Sequence, residues 1–164
     1  MTSGRTRQLR RRYLSLGLGE LVAAVVFCGV AATAVGPRLD SDADRFACWA
    51  ALVPLVVILV QAGVYWLIAR TWLGGGRMPH GMASIYRCFR SVDGVLLAVG
   101  FVGVVAAGPS SPSVLVLALA VWAFGVAEYV NYFVVRLAYP ARRWLTEVGR
   151  LRTPRLVQDL RASS

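Results

Sequence analysis

Glu128, Asn131 and Tyr132 stand at i, i+3 and i+4 within an apolar stretch at 114–137. In a helix that spacing places a carboxyl, an amide and a phenol on one face. Such a set can hold a proton, coordinate a cation, bind a lipid headgroup or hydrogen-bond a neighbouring helix. Ionisable groups in a membrane span are rare and make a functional site the default hypothesis. At 1.5 Å per residue Glu128 falls about 4 Å from the centre of its stretch. Glu20 lies about 9 Å inside the start of an apolar stretch at 14–35, a depth similar to that of Asn131. Asp93 sits near the start of a third stretch at 86–107. Glu128, Asn131, Tyr132, Glu20 and Asp93 therefore form one candidate intramembrane polar site in a single half of the bilayer. As structural contacts they would fix helix register, at roughly 0.6 kcal/mol each. As a working site they would line a cavity open to the cytoplasm.

Other chemistry fails on its spacing. Asp40, Asp42 and Asp44 open like a calcium loop, but its sixth position is Arg45 and its twelfth Ala51, which removes the turn and the bidentate ligand. The run reads instead as a solvated turn. One histidine, His80, and three scattered cysteines, Cys28, Cys48 and Cys88, make no zinc or haem pattern. Cys28 and Cys48 fall toward the same side, where a disulfide is conceivable, while Cys88 belongs in the reducing cytosol. Gly74–Gly76 lacks the Gly-Lys-Ser/Thr of a phosphate loop, and no serine sits in a nucleophile elbow. No catalytic residue, metal or cofactor is expected.

The elements that position the polar residues follow from composition. The chain has 164 residues, is 57% apolar and only 16% charged, and has a mean hydropathy of +0.61. Soluble domains carry roughly 25% charge. These values exclude disorder, collagen-like repeats and a disulfide-stapled miniprotein. A hydrocarbon core of about 30 Å requires about 20 apolar residues in helix. Four segments meet that at 14–35, 46–69, 86–107 and 114–137, the third only when extended back to Tyr86 so that Arg87 and Arg90 snorkel. The fold expected is an all-α integral membrane protein, a bundle of four transmembrane helices. A basic segment at 1–13 precedes it and a basic amphipathic tail at 138–164 follows. A cleavable signal is the rival for the first span, because Arg10–Leu14 resembles a twin-arginine motif and Ala32-Thr33-Ala34 a cleavage site. The 22 apolar residues there exceed the roughly 7–15 of a signal core.

All 18 basic residues are arginine, which fits the bias of a GC-rich bacterial genome and excludes Schiff-base lysine chemistry. Only Arg38 and Arg45 fall on one side of the expected spans, and sixteen fall on the other. The positive-inside rule then puts both termini in the cytoplasm of a multi-pass cell-membrane protein. The net charge of +10 is thereby explained by topology, without nucleic acid. Arg10, Arg11, Arg12, Arg87, Arg90, Arg136, Arg142 and Arg143 are the expected contacts to anionic lipid headgroups. In the tail, Trp144, Leu145, Val148 and Leu151 make an apolar stripe, and Thr153-Pro154 opens a second short helix with Leu156, Val157 and Leu160. The tail reads as interfacial, with a flexible, solvated cytosolic segment as the alternative.

Small residues at four-residue spacing allow close helix approach: Gly94 with Ala98, Gly103 with Ala107, and Glu20, Ala24, Cys28 and Ala32 along the first span. Such contacts serve the monomer, a homo-oligomer or a membrane-protein partner alike. The function expected is a non-enzymatic accessory protein that binds lipid or a membrane partner. The alternatives are a transporter or channel component with Glu128 as its proton or cation site, and a lipid-modifying enzyme.

Overall fold

The computed structural model describes residues 3–72, 78–134 and 154–162, and among these there is no strand. Helix α1 (Ser3–Val30) continues through a π-helical turn, Ala31–Val35, and a 3-10 turn, Gly36–Arg38. Helix α2 covers Asp42–Ala69, α3 His80–Ala107, α4 Pro112–Phe133, and a short α5 Arg155–Ala162. The first four are long and apolar enough to cross a membrane.

The helices extend beyond the apolar counts because their ends are capped in polar sequence. Ser41 opens α2 by accepting the Asp44 N–H at 3.0 Å, and Asp42 and Asp44 place negative charge on the exposed amides of the first turn. α2 thus starts four residues before the hydrophobic run at 46. Ser111 caps α4, with Pro112 as its first helical residue. α3 starts at His80 rather than 86, and ends on Gly108, whose φ of 56° is the left-handed stop that glycine adopts without strain. α4 is described to Phe133, so the end of the expected 114–137 span, Arg136 included, lies outside the described residues.

α2 is the central element. Half of its most apolar window is buried, against 6% for α1 and 11% for α4, and α1, α3 and α4 all pack on it. Two close approaches carry this packing. A β-carbon on Gly17 would lie 2.9 Å from the Gly63 carbonyl oxygen, and one on Gly100 only 2.5 Å from that of Ala50. The small-residue spacings expected in α3 and α1 are only partly used. Gly103 and Ala24 pack inward, but Gly94 has open room, and Ala98 and Ala32 are exposed. Two heptad-spaced residues, Gly17 and Ala24, form the buried edge of α1 instead. Val22, Val25, Val95, Val102 and Val116 are exposed on the outer faces of the helices.

The two ends of the assembly differ. At one end the α1–α2 and α3–α4 connections meet, where the Asp44 carboxylate accepts the Ser110 N–H at 2.8 Å and its hydroxyl at 2.6 Å. Asp44 is only 2% exposed, so the acidic run is not a wholly solvated turn. Asp42 keeps that role, pairing with Arg45 at 3.0 Å on the surface. At the other, arginine-rich end, aromatic rings lock the helices edge to face: Tyr13 on Trp66, Trp66 and Tyr86 on Tyr65, and Phe89 on Tyr86. Arg7, Arg10, Arg11, Arg12, Arg87 and Arg90 are exposed here. Cys28, Cys48 and Cys88 are free thiols, so the conceivable disulfide is absent.

α5 also packs at this end. Leu156 and Leu160 are buried against the helices, so its apolar side meets protein rather than an interface. Its first residue is Arg155, and the Pro154 carbonyl accepts the Gln158 N–H, which makes Pro154 the cap and not the first helical residue. The expected stripe Trp144–Leu151, with Arg142 and Arg143, lies outside the described residues.

Substitution at the α2–α3 crossing should cost stability only where backbones touch. Gly100→Val is expected to lose about 1–3 kcal/mol by overpacking, read from denaturant unfolding in detergent. Gly94→Ala, whose added β-carbon would lie 3.7 Å from the Tyr129 hydroxyl, should leave the midpoint unchanged.

Candidate functional site

Of the five polar residues expected together, four meet and one does not. Glu20 is on the face of α1 toward α4, two turns from Arg12 in sequence. Its Oε1 accepts the Tyr132 hydroxyl at 2.5 Å, joining α1 to α4 across the end of α2. Glu128 lies one turn before Tyr132, with the Asn131 side chain close to its carboxylate on the same face. Glu20 and Glu128 both line the same groove between α1 and α4. The i, i+3, i+4 spacing in α4 therefore brings its three polar groups to the α1 side. Trp66 of α2, which sequence reading passed over, completes the set. Its indole N–H is buried beside the Tyr132 hydroxyl without the alignment of a hydrogen bond.

Two spaces adjoin these residues, and both touch Glu20. The first is a cavity of about 110 Å³ at the arginine-rich end, with Glu20, Trp66, Asn131 and Tyr132 on one side and Pro154, Arg155 and Leu156 on the other. The second is an open groove of about 300 Å³ on the surface between α1 and α4. Glu20 stands on its α1 wall and Glu128 on its α4 wall, with Leu59 of α2 as its floor and Phe27 and Phe124 beyond. Those two rings lie 5.7 Å apart. A pair of carboxylates thus opens onto a groove whose remaining walls are nearly all apolar.

Asp93 occupies a separate place between α2 and α3. It is fully buried, and its Oδ1 accepts the Gln61 side-chain amide at 3.0 Å, while the Tyr86 hydroxyl donates to the Gln61 carbonyl at 3.1 Å. A void of about 10 Å³, no more than a single water needs, is lined by both Gln61 and Tyr132. Asp93 Oδ2 and Gln61 Oε1 are buried without a hydrogen-bond partner. Sequence reading missed Gln61 because it sought charges, and 46–69 has none. The signal was there: Gln61 is the lone amide in that span.

α4 is tied to α3 by two further side chains. Trp122 donates to the Leu97 carbonyl at 2.8 Å and Tyr129 to that of Arg90 at 3.1 Å. Among the described residues no group of three or more His, Cys, Asp or Glu is placed to hold a metal ion.

The two polar pairs should respond differently to substitution. Asp93→Asn supplies the donor that the two leftover oxygens lack and should unfold at the wild-type midpoint or above it. Asp93→Ala strands the Gln61 amide in the core and should cost about 1–3 kcal/mol. Tyr132→Phe should cost less than Asp93→Ala in the same unfolding assay, because Glu20 still faces the cavity and the groove. Equal losses for the last two would mean that Glu20 is as dependent on its partner as Gln61.

No protein-family model, curated protein or solved structure matches this chain.

Proposed function

We propose that this chain is a non-enzymatic polytopic membrane protein that holds an amphiphile in the groove between α1 and α4. In this reading α1–α4 form a transmembrane bundle and the arginine-rich end faces the cytoplasm. The exposed arginines of α1 and α3 at that end support this orientation through the positive-inside rule. Their surrounding partners are anionic headgroups, at about 1 kcal/mol per basic residue near the surface.

The observation that carries the binding role is the placement of Glu20 and Glu128 on opposite walls of one groove. Carboxylates accept hydrogen bonds and attract cations, so the complementary head is an ammonium or another cationic donor. Below it, Leu59, Phe27 and Phe124 offer apolar contact for a chain. An aminolipid has both parts. A second reading draws on the same pair, since two acids lining one groove also suit a proton or cation carrier with Glu128 as its site.

Lipid retention tests the first reading. Protein extracted from membranes containing phosphatidylethanolamine and phosphatidylglycerol should keep the aminolipid through purification, as read by native mass spectrometry. A Glu20→Gln/Glu128→Gln variant should retain about tenfold less, the loss expected from one charge-assisted hydrogen bond. Equal retention by the variant, or no preference for the aminolipid, would overturn the proposal. Ion flux into liposomes that disappears in Glu128→Gln would favour the carrier.

A further inference from the structure

α5 has eight residues, too few to hold a helix in water by itself, where roughly 12–15 are marginal. It is helical because it is docked. The docking rests on two leucines, Leu156 and Leu160, and on one carboxylate. Asp159 Oδ2 accepts the Tyr65 hydroxyl at 2.8 Å and the Trp72 indole N–H at 3.2 Å, while Oδ1 pairs with Arg155 at 3.1 Å. Asp159 is buried to 7% exposure, and both outside donors come from α2 or the residues just after it. The anchor is therefore polar, concentrated on a single side chain, and separate from the close crossings that hold α1–α4 together.

The docked helix also closes a space. Pro154, Arg155 and Leu156 form one side of the 110 Å³ cavity whose other side carries Glu20 and Tyr132. The groove between α1 and α4 meets the same Glu20 from the opposite direction. With α5 in place, Glu20 borders both spaces, and α5 forms one wall of the cavity. With α5 away, the cavity loses a wall and Glu20 opens to water at the arginine-rich end.

We propose that α5 is a lid over the Glu20–Tyr132 cavity, latched by Asp159 on Tyr65 and Trp72, and that its release gives the solvent access to the acid shared by cavity and groove. As regulation of the binding site this rests on the reading above; as a conformational device it does not. Segments with few buried contacts open locally at a fraction of the global free energy. Two leucines and one carboxylate place α5 in that class.

The experiment is thiol labelling of the full chain with Cys28, Cys48 and Cys88 replaced by alanine and Leu156→Cys as reporter. Leu156 is 3% exposed when docked. A polar maleimide should label the reporter far more slowly than a fully exposed thiol. Adding Asp159→Ala should raise the rate about tenfold or more, in proportion to the open population. Asp159→Asn, which keeps an acceptor but not the charge, should fall between. Tyr65→Phe should also speed labelling, from the other side of the latch. Unfolding midpoints measured on the same variants keep a general loss of structure from passing as lid opening. The proposal is overturned if neither Asp159→Ala nor Tyr65→Phe changes the rate, or if the reporter already reacts as an exposed thiol. Labelling needs no lipid, so its failure stands apart from failed aminolipid retention.

Discussion

At Gly17 and Gly63 the backbones of α1 and α2 come so near that a β-carbon on either would press on the other's carbonyl oxygen. The crossing of α3 over α2 at Gly100 and Ala50 is closer still. Where helices stand in an apolar solvent, burying leucine against leucine gains little, and dispersion contact at short range and hydrogen bonds between helices carry their association. The remaining geometry follows from these two crossings. They make α2 the shared surface and seat α1 and α3 on it; α4 packs on α2 at Gly125 and is bonded to α3, which leaves a groove beside α1 and the Tyr132 hydroxyl 2.5 Å from Glu20.

Polar side chains then divide according to what each interface offers. Asp44 clasps the two connections at one end through Ser110. Asp93 disappears between α2 and α3, where Gln61 is the donor it finds. Glu20 and Glu128 differ because they stay at an edge: each touches a space as well as a partner. The oxygens that Asp93 and Gln61 leave unpartnered are buried inside the protein, whereas the accepting capacity of Glu20 and Glu128 faces a groove that a ligand can enter. By that criterion Glu20 is the residue on which cavity, groove and lid converge.

Much of this was legible from residue order. The four apolar stretches, the common face of Glu128, Asn131 and Tyr132 and a short helix near Leu156 and Leu160 all follow from local periodicity and caps. Where the spans begin was less legible, because Ser41 and Pro79 start helices in polar sequence that an apolar count ignores. Asp159 shows the limit more sharply. In sequence it is one acid among tail arginines, and nothing local tells that Tyr65 and Trp72, 94 and 87 residues earlier, will both donate to it.

The sequence by itself determined that four helices of membrane-crossing length exist and which side chains on each are polar, since hydropathy and the 3.6-residue repeat are properties of neighbouring residues. Only the tertiary structure decided how those polar groups were shared out. Glu20 met Tyr132, Asp93 met Gln61 instead of joining them, and the apolar side of α5 was taken up by protein. The physical reason is that each helix's rotation and neighbours are set by close contacts at a few glycines and rings. Those contacts depend on shape matching between distant segments, which no local pattern encodes.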